Sequence, residues 1–188
     1  AEIPGITWRT PDGRVVRNPD RPFPVDLDRL PFPARHLLDN RRYTRPDTGA
    51  TQTSVVTNRG CPFHCSYCLA NQIAGTRNRY RSVANVIAEL RECVERHGIT
   101  SFLFRSEFFT QHRRWVLELC DAILAAGLRI DWACNSRVDA VDAELLAAMR
   151  RAGCWIIAFG VESGDQAVLD RLDKRADVAD AHRAIALC

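Results

Sequence analysis

The sequence has almost no lysine or methionine and no long apolar run. Lys174 is the only lysine and Met149 the only methionine in 188 residues, so arginine carries most of the positive charge. No uninterrupted apolar stretch of about 18 residues could span a bilayer, and the N-terminus lacks the basic and then apolar layout of a signal peptide. These absences predict a cytoplasmic protein without a membrane segment.

A strong excess of charge of either sign is also missing. The formal net charge is +3, whereas a surface that binds nucleic acid requires clustered positive charge. One local basic group exists, at Arg77, Arg79 and Arg81, and a solvated loop is the simplest prediction for it. The charge therefore argues against a nucleic-acid partner.

A disulfide framework is absent although the sequence has eight cysteines. Five of them are scattered through apolar helix-like or strand-like segments, where free cysteine behaves as a small hydrophobic residue. These five are Cys93, Cys120, Cys134, Cys154 and Cys188. We therefore expect reduced thiols packed in a core.

Proline is confined almost entirely to the N-terminal part of the chain. Eight of the nine prolines precede residue 51, and proline is excluded from regular helices and central strands. Residues 1–50 are thus predicted to be an extended connector. Its apolar residues predict that it lies along a folded surface, and these are Val25, Leu27, Leu30, Phe32 and Leu37.

From residue 51 onward, short β-branched or aromatic runs alternate with amphipathic helical segments, which is typical of βαβ units with a parallel sheet. The predicted strands are residues 53–58, 100–105, 129–135 and 154–161. The predicted helices end at Gly98, at Gly127 and at Gly153, and a fourth helical region breaks near Lys174. Residues 51–188 are therefore predicted to be an α/β domain with four βα units.

Chemically useful side chains follow each predicted strand. Three cysteines follow the first strand, and the next three strands are followed by residues 105–107, 135–137 and 160–163. Since the C-terminal ends of parallel strands form one edge of a sheet or barrel, these groups are predicted to lie in one site.

The three cysteines of RGCPFHCSYC have the spacing C-x3-C-x2-C. Thiolates from Cys61, Cys65 and Cys68 can hold three irons of a four-iron, four-sulfur cluster and leave the fourth iron open. The alternative is a structural zinc site, in which His64 or a distant cysteine supplies the fourth ligand. The two hypotheses predict different metals and different functions.

With this motif the sequence resembles the radical S-adenosylmethionine (radical SAM) superfamily. The resemblance implies a partial (β/α)6 TIM-like barrel, of which about four βα units are present here. It also implies that SAM chelates the open iron, and that an electron from the cluster cleaves SAM to a 5′-deoxyadenosyl radical that abstracts hydrogen from the substrate. Cys61, Cys65 and Cys68 match the cluster ligands, and Tyr67 matches the aromatic position before the last cysteine.

The resemblance further implies SAM contacts at the ends of the second, third and fourth strands. These are Glu107, Ser136, Arg137, Gly160 and Glu162. The glycine pair common before the acidic residue is replaced here by Arg105 and Ser106. Either glutamate could instead be the ion-pair partner of an arginine, because carboxylates at strand ends often pair with guanidinium groups.

Residues 12–38 show a second resemblance, to the connector that follows a cobalamin-binding domain in the cobalamin-dependent subfamily. This implies cobalamin bound by an upstream domain and methyl transfer to an unactivated carbon of a small-molecule or peptide substrate. A flavodoxin or ferredoxin would be the reductant. Cobalamin-dependent ring rearrangement and methylthiotransfer are alternative reactions, and a zinc-binding interaction module is the alternative outside enzymology.

Overall fold

The structure is a computed structural model, and it describes residues 2–188. The strands are β1 (Thr7–Arg9), β2 (Val15–Arg17), β3 (Gln52–Val56), β4 (Asn58–Arg59), β5 (Arg79–Tyr80), β6 (Ser101–Arg105), β7 (Asp131–Ser136) and β8 (Cys154–Phe159). The α-helices are α1 (Ala70–Ala74), α2 (Val83–His97), α3 (Arg113–Ala125), α4 (Ala143–Arg151), α5 (Gln166–Arg171) and α6 (Val178–Leu187).

Four parallel strands form the central sheet, in the order β3, β6, β7, β8. A helix follows each strand, so the predicted α/β architecture and the predicted part of a barrel are confirmed. The strand boundaries differ from the prediction by a few residues. The largest difference is at the first strand, where Thr57 separates β3 from the short β4.

The core lies between the sheet and helices α2, α3 and α4. Phe102, Phe104 and Trp132 are fully buried on the helix side of the sheet, and the rings of Phe104 and Trp132 stack with centroids 4.8 Å apart. Leu90, Leu119 and Met149 meet them from the three helices with no solvent exposure. The opposite face of the sheet is left open to a cavity.

Helix boundaries follow the capping signals in the sequence. The Asp142 side chain accepts a hydrogen bond from the Leu145 N–H (2.9 Å) at the start of α4, and Gly98 ends α2 in the left-handed region at φ +63°. Helix α3 starts at Arg113, later than predicted, because Phe109–Gln111 forms a 3-10 turn first. The predicted break near Lys174 is confirmed, since it separates α5 from α6.

The proline-rich segment is mostly irregular, but it includes the antiparallel hairpin of β1 and β2, which the sequence analysis did not predict. Leu27 is buried, whereas Val25, Leu30 and Leu37 are exposed. The predicted path of the connector along a folded surface therefore depends on Leu27 and the partly buried Phe32, and not on the three exposed residues.

A buried ion-pair cluster anchors the connector instead. Arg35 donates from Nη2 to Glu89 Oε1 of α2 (2.6 Å) and to the Ser54 carbonyl of β3 (2.9 Å). Arg81 also binds Glu89, through Oε2, and it donates to the Val56 carbonyl. All three charged side chains are almost fully buried. They attach residues 1–50 to the sheet and to α2.

Two further predictions from composition need correction. Arg79 and Arg81 are buried rather than solvated, because carbonyl groups and Glu89 accept their hydrogen bonds. Cys188 is exposed, whereas the other four cysteines predicted to be in the core are buried. Burial raises the pKa of the Cys120 thiol to about 12, as expected for an inert core cysteine. Within residues 2–188, no helix is long and apolar enough to cross a membrane.

Candidate functional site

A cavity of about 860 Å³ lies on the open face of the sheet. Residues from the ends of successive strands line it, including Arg59 after β3, Glu107 after β6, Asn135 of β7 and Ala158 of β8. Of the predicted cluster ligands and SAM contacts, only Glu107 lines this cavity, so a single site formed by all of them stays a prediction. Concave space of this size is typical of a small-molecule site.

The cysteine loop, residues 61–78, is closed at its base by the pairing of β4 with β5. Gly60 stands at the entrance to the loop with φ +99°, and a Cβ atom there would lie 2.2 Å from the Arg77 carbonyl oxygen. The Cys61 N–H also donates to the Gly75 carbonyl (3.1 Å). Only glycine permits this close approach of the two ends of the loop.

The three motif cysteines all lie on this loop. Cys61 and Cys65 are half-buried and Cys68 is exposed, with its Sγ accepting a hydrogen bond from the Ala70 N–H (3.4 Å). Burial raises the pKa of the Cys61 thiol, and the neighbouring Cys65 and Cys68 add to the rise. Between residues 2 and 188, however, no three His, Cys, Asp or Glu side chains form a group that could hold a metal ion. The three thiols lie on one loop, but their side chains do not converge on a common point.

The donor set fits a cluster with three protein ligands. The four buried cysteines are in the core away from the loop, and Cys188 follows α6 at the end of the chain. His64, the other candidate for a fourth zinc ligand, pairs through Nδ1 with the Asn71 side-chain amide (3.0 Å). A zinc site would need a fourth protein ligand, for which His64 Nε2 is the remaining candidate, whereas a four-iron cluster needs only the three thiols.

Glu107 lies beside the base of the cysteine loop. Its Oε2 accepts the Gly60 N–H (3.0 Å), and its Oε1 pairs with Arg59 Nη1 (3.1 Å). The arginine partner of Glu107 is thus Arg59, which the sequence analysis did not consider. A contact between Glu107 and SAM stays a prediction.

Ser136 and Arg137 are buried at the end of β7. Ser136 shares a hydrogen bond with Thr110 and donates to its neighbour's carbonyl. Arg137 forms two hydrogen bonds with the Asp139 carboxylate (2.9 and 2.8 Å), and its guanidinium carbon lies 3.8 Å from the centre of the Phe63 ring. The two predicted SAM contacts stay predictions, and a carboxylate of SAM would compete with Asp139 for Arg137.

Tyr67, Gly160 and Glu162 meet at Lys174. The Lys174 ammonium donates to Tyr67 Oη (3.1 Å) and to Glu162 Oε1 (3.0 Å). Burial raises the pKa of Glu162, but hydrogen bonds from Lys174 and Tyr67 outweigh it and leave that pKa below its usual value. A Cβ atom on Gly160 would lie only 2.8 Å from Glu162 Oε1 and 2.9 Å from Lys174 Nζ. Glycine at position 160 therefore makes room for the ion pair.

Lys174 is the site residue that the sequence analysis missed. It belongs to the charged run 170–177, at the predicted helix break, yet its relative exposure is only 5%. The sequence did contain one signal, because Lys174 is the only lysine in an arginine-rich chain. An ammonium group and a guanidinium group are not interchangeable at a hydrogen-bonded position.

Comparison with protein-family models gives a match to the Radical SAM superfamily over residues 55–188. The chain belongs to the radical SAM superfamily. Its members use a four-iron, four-sulfur cluster together with SAM, and the matched region contains the end of β3, the cysteine loop and the other three strands of the central sheet.

Two relatives are similar over almost the whole chain. An uncharacterised methyltransferase of Pyrococcus horikoshii is 32% identical over 172 residues, which are 92% of this chain and 37% of that protein. An anaerobic magnesium-protoporphyrin IX monomethyl ester cyclase of Rubrivivax gelatinosus is 32% identical over 188 residues, which cover 98% of this chain and 33% of the cyclase. This radical SAM chain thus spans little more than a third of the curated relatives it matches.

A solved structure shows the same fold. The radical SAM methyltransferase TsrM from Kitasatospora setae, solved with cobalamin and a [4Fe-4S] cluster bound, matches with a TM-score of 0.72 at 21% identity. The match covers 100% of this chain and 39% of TsrM. The matched region includes the connector, so the structural similarity to TsrM extends over both the connector and the central sheet.

Proposed function

We propose that residues 51–188 are the catalytic core of a cobalamin-dependent radical SAM methyltransferase, and that residues 1–50 connect this core to a cobalamin-binding domain. The observation that carries the proposal is the set of three thiols on one loop, without a fourth cysteine nearby, beside a cavity lined by strand ends. Three protein ligands leave one iron of a cubane free for SAM.

When bound, the cluster supplies the electron that cleaves SAM and so begins radical chemistry. The chain supplies the surroundings of that reaction. Cys61, Cys65 and Cys68 hold the iron, and the closed base of their loop keeps it beside the cavity. The Glu107 carboxylate lies beside the loop, after the end of β6, and the Tyr67 ring belongs to the loop. Both groups can orient SAM.

The proposed substrate is a small molecule or a peptide side chain, since the cavity of about 860 Å³ has the size of a small-molecule site. The proposed reductant is a flavodoxin or a ferredoxin. A cytoplasmic location, in which such reductants and reduced thiols occur, stays a prediction.

Methyl transfer is favoured by similarity to the methyltransferase of Pyrococcus horikoshii and by the fold shared with TsrM. Ring formation is the second candidate, because the cyclase of Rubrivivax gelatinosus has the same identity and covers more of this chain. Neither comparison supports methylthiotransfer or a zinc-binding module. Methyl transfer and ring formation would both use the same three cysteines.

Metal content tests the cluster. The full-length protein, reconstituted anaerobically with iron and sulfide, is expected to bind about four irons per chain with matching sulfide. Stoichiometric zinc in place of iron would overturn the proposal. The Cys65→Ala variant is expected to remain folded but to form no 5′-deoxyadenosine from SAM under dithionite, whereas the matched control Cys188→Ala retains this activity. Equal activity in the two variants would contradict the proposed cluster.

Isotope transfer distinguishes the two candidate reactions. With SAM labelled in its methyl group, a methyltransferase places the label in its product, whereas a ring-forming enzyme leaves the label in methionine. Bound cobalamin in the full-length protein is expected in both cases. Its absence would overturn the role proposed for residues 1–50.

A further inference from the structure

The only lysine of the chain is buried in a turn between α5 and α6. We call this turn, residues 172–175, the clasp. Lys174 donates from Nζ to Tyr67 Oη (3.1 Å) in the cysteine loop and to Glu162 Oε1 (3.0 Å) after β8. One ammonium group thereby joins two parts of the site that are far apart along the chain.

Burial of the Lys174 ammonium costs free energy unless its hydrogen-bond partners replace the lost water. A lysine ammonium is seldom fully buried, and removal from water is compensated only by good partners. Here the partners are an ionised carboxylate and a phenol, and the room for them depends on the missing side chain of Gly160. Tyr67 is held by its hydroxyl, yet the residue is 47% exposed, so its ring stays accessible to a ligand.

The backbone around the ion pair is strained. Of the non-glycine residues in the described part of the chain, only Glu162 (φ +66°), Asp173 (φ +48°) and Arg175 (φ +52°) have positive φ. All three flank the ion pair or belong to the clasp. Such conformations are unfavourable for residues with a side chain and concentrate at functional sites, where the surrounding contacts enforce them.

The clasp also binds the site through its main chain. The Leu172 carbonyl accepts the Ser66 N–H of the cysteine loop (3.0 Å). The carbonyls of Lys174 and Arg175 accept hydrogen bonds from Arg137 (2.8 Å each), which stacks on the Phe63 ring of the same loop. The clasp thus connects the cysteine loop with the ends of β7 and β8.

We propose that Lys174 is a positioning residue of the SAM site, whose ammonium holds the Tyr67 ring and the Glu162 carboxylate in the arrangement that receives SAM. The inference rests on the proposed function, because it takes SAM as the ligand. A lysine that only stabilised the fold would affect unfolding and cluster content, whereas a positioning lysine affects SAM affinity at constant cluster content.

The first test measures SAM affinity and iron content of the reconstituted full-length protein. Lys174→Met is expected to raise the Kd for SAM about tenfold or more with unchanged iron content, because it removes two hydrogen bonds of a charged donor. Lys174→Arg keeps the charge and is expected to lose less affinity. Arg171→Met, on the exposed end of α5, is the matched control and is expected to bind SAM like the unchanged protein.

The second test uses the unchanged protein, so it does not depend on the folding of a variant. Acylation of Lys174 by an amine-reactive reagent, followed by mass spectrometry of its peptide, reports how often the clasp opens. SAM that binds only the closed clasp slows this acylation by a factor of 1 + [SAM]/Kd, about tenfold at nine times the Kd. Acylation that is independent of SAM would overturn the inference.

The outcomes separate the two proposals. If the unchanged protein holds no cluster and binds no SAM, the proposed function fails and this inference fails with it. If the unchanged protein binds SAM and Lys174→Met binds it equally well, this inference alone is overturned. Loss of iron together with SAM affinity in both Lys174 variants would also overturn it, since Lys174 would then act on the cysteine loop rather than on SAM.

Discussion

Replacement of Arg35 by methionine should destabilise the domain far more than loss of an ordinary surface ion pair. Arg35 and Glu89 have side-chain exposures of 3% and 1%, with 2.6 Å between Nη2 and Oε1. Methionine is similar in length but has no charge, so the variant leaves Glu89 with Arg81 alone and leaves the Ser54 carbonyl without this donor. Because Arg81 still pairs with Glu89, the expected cost is that of the lost charged hydrogen bonds, about 1.5–3 kcal/mol.

The assay is thermal unfolding followed by circular dichroism. For a domain of this size, 1 kcal/mol corresponds to roughly 2–4 °C in Tm, so Arg35→Met is expected to lower Tm by about 3–12 °C. Arg114→Met is the matched control, because it removes the same kind of pair, with Glu118, from a solvent-exposed helix surface. Its expected cost is about 0–1 kcal/mol.

Equal shifts in Tm for the two variants would refute the reasoning. That result would mean that Arg81 or water satisfies Glu89 and the Ser54 carbonyl when Arg35 is absent, so that no buried acceptor loses its hydrogen bond. The connector would then be held by its other contacts, and its position against the sheet would not depend on the ion-pair cluster.

Two further predictions concern the cysteine loop and helix α4. Gly60→Ala should abolish iron uptake and lower Tm by more than the control Gly13→Ala. Both glycines have positive φ, but only at Gly60 would a Cβ atom lie within 2.2 Å of a carbonyl oxygen. Similar effects of the two changes on Tm and on iron content would contradict this close approach. Hydrogen bonds from Arg113 and from the Leu145 N–H hold the pKa of Asp142 below its usual value of 3.8. The ionised Asp142 therefore stabilises the folded state above about pH 4, and this contribution is lost as the pH falls through the lowered pKa. The difference in unfolding free energy between the unchanged protein and Asp142→Ala should therefore shrink in acid, and a difference that stays constant from pH 7 to pH 3 would exclude this contribution.

Much of the fold was predictable because its signals are local. The caps at Asp142 and Gly98 are encoded within a few residues, and alternating strands and helices leave a parallel sheet as the natural arrangement. The same topology placed the ends of β6, β7 and β8 together before any distance was known. The cysteine spacing then predicted the family.

The interactions that fix the site were not predictable in the same way. Arg35 and Glu89 are 54 residues apart, and Tyr67 and Lys174 are 107 residues apart. No local pattern distinguishes these charged residues from solvated ones, since burial depends on the tertiary fold. Apolar content was misleading in the connector for the same reason, because Val25 and Leu37 are exposed there while Arg35 is buried.

The closed base of the cysteine loop has a consequence for the lifetime of the protein. Because β4 and β5 pair below the thiols, and Gly60 packs against the Arg77 carbonyl, the loop keeps its ends together without help from a metal. Under the proposed function, oxidative loss of the cluster should then leave the sheet and its helices folded. A chain that has lost its cluster would therefore keep the fold into which a new cluster can be built.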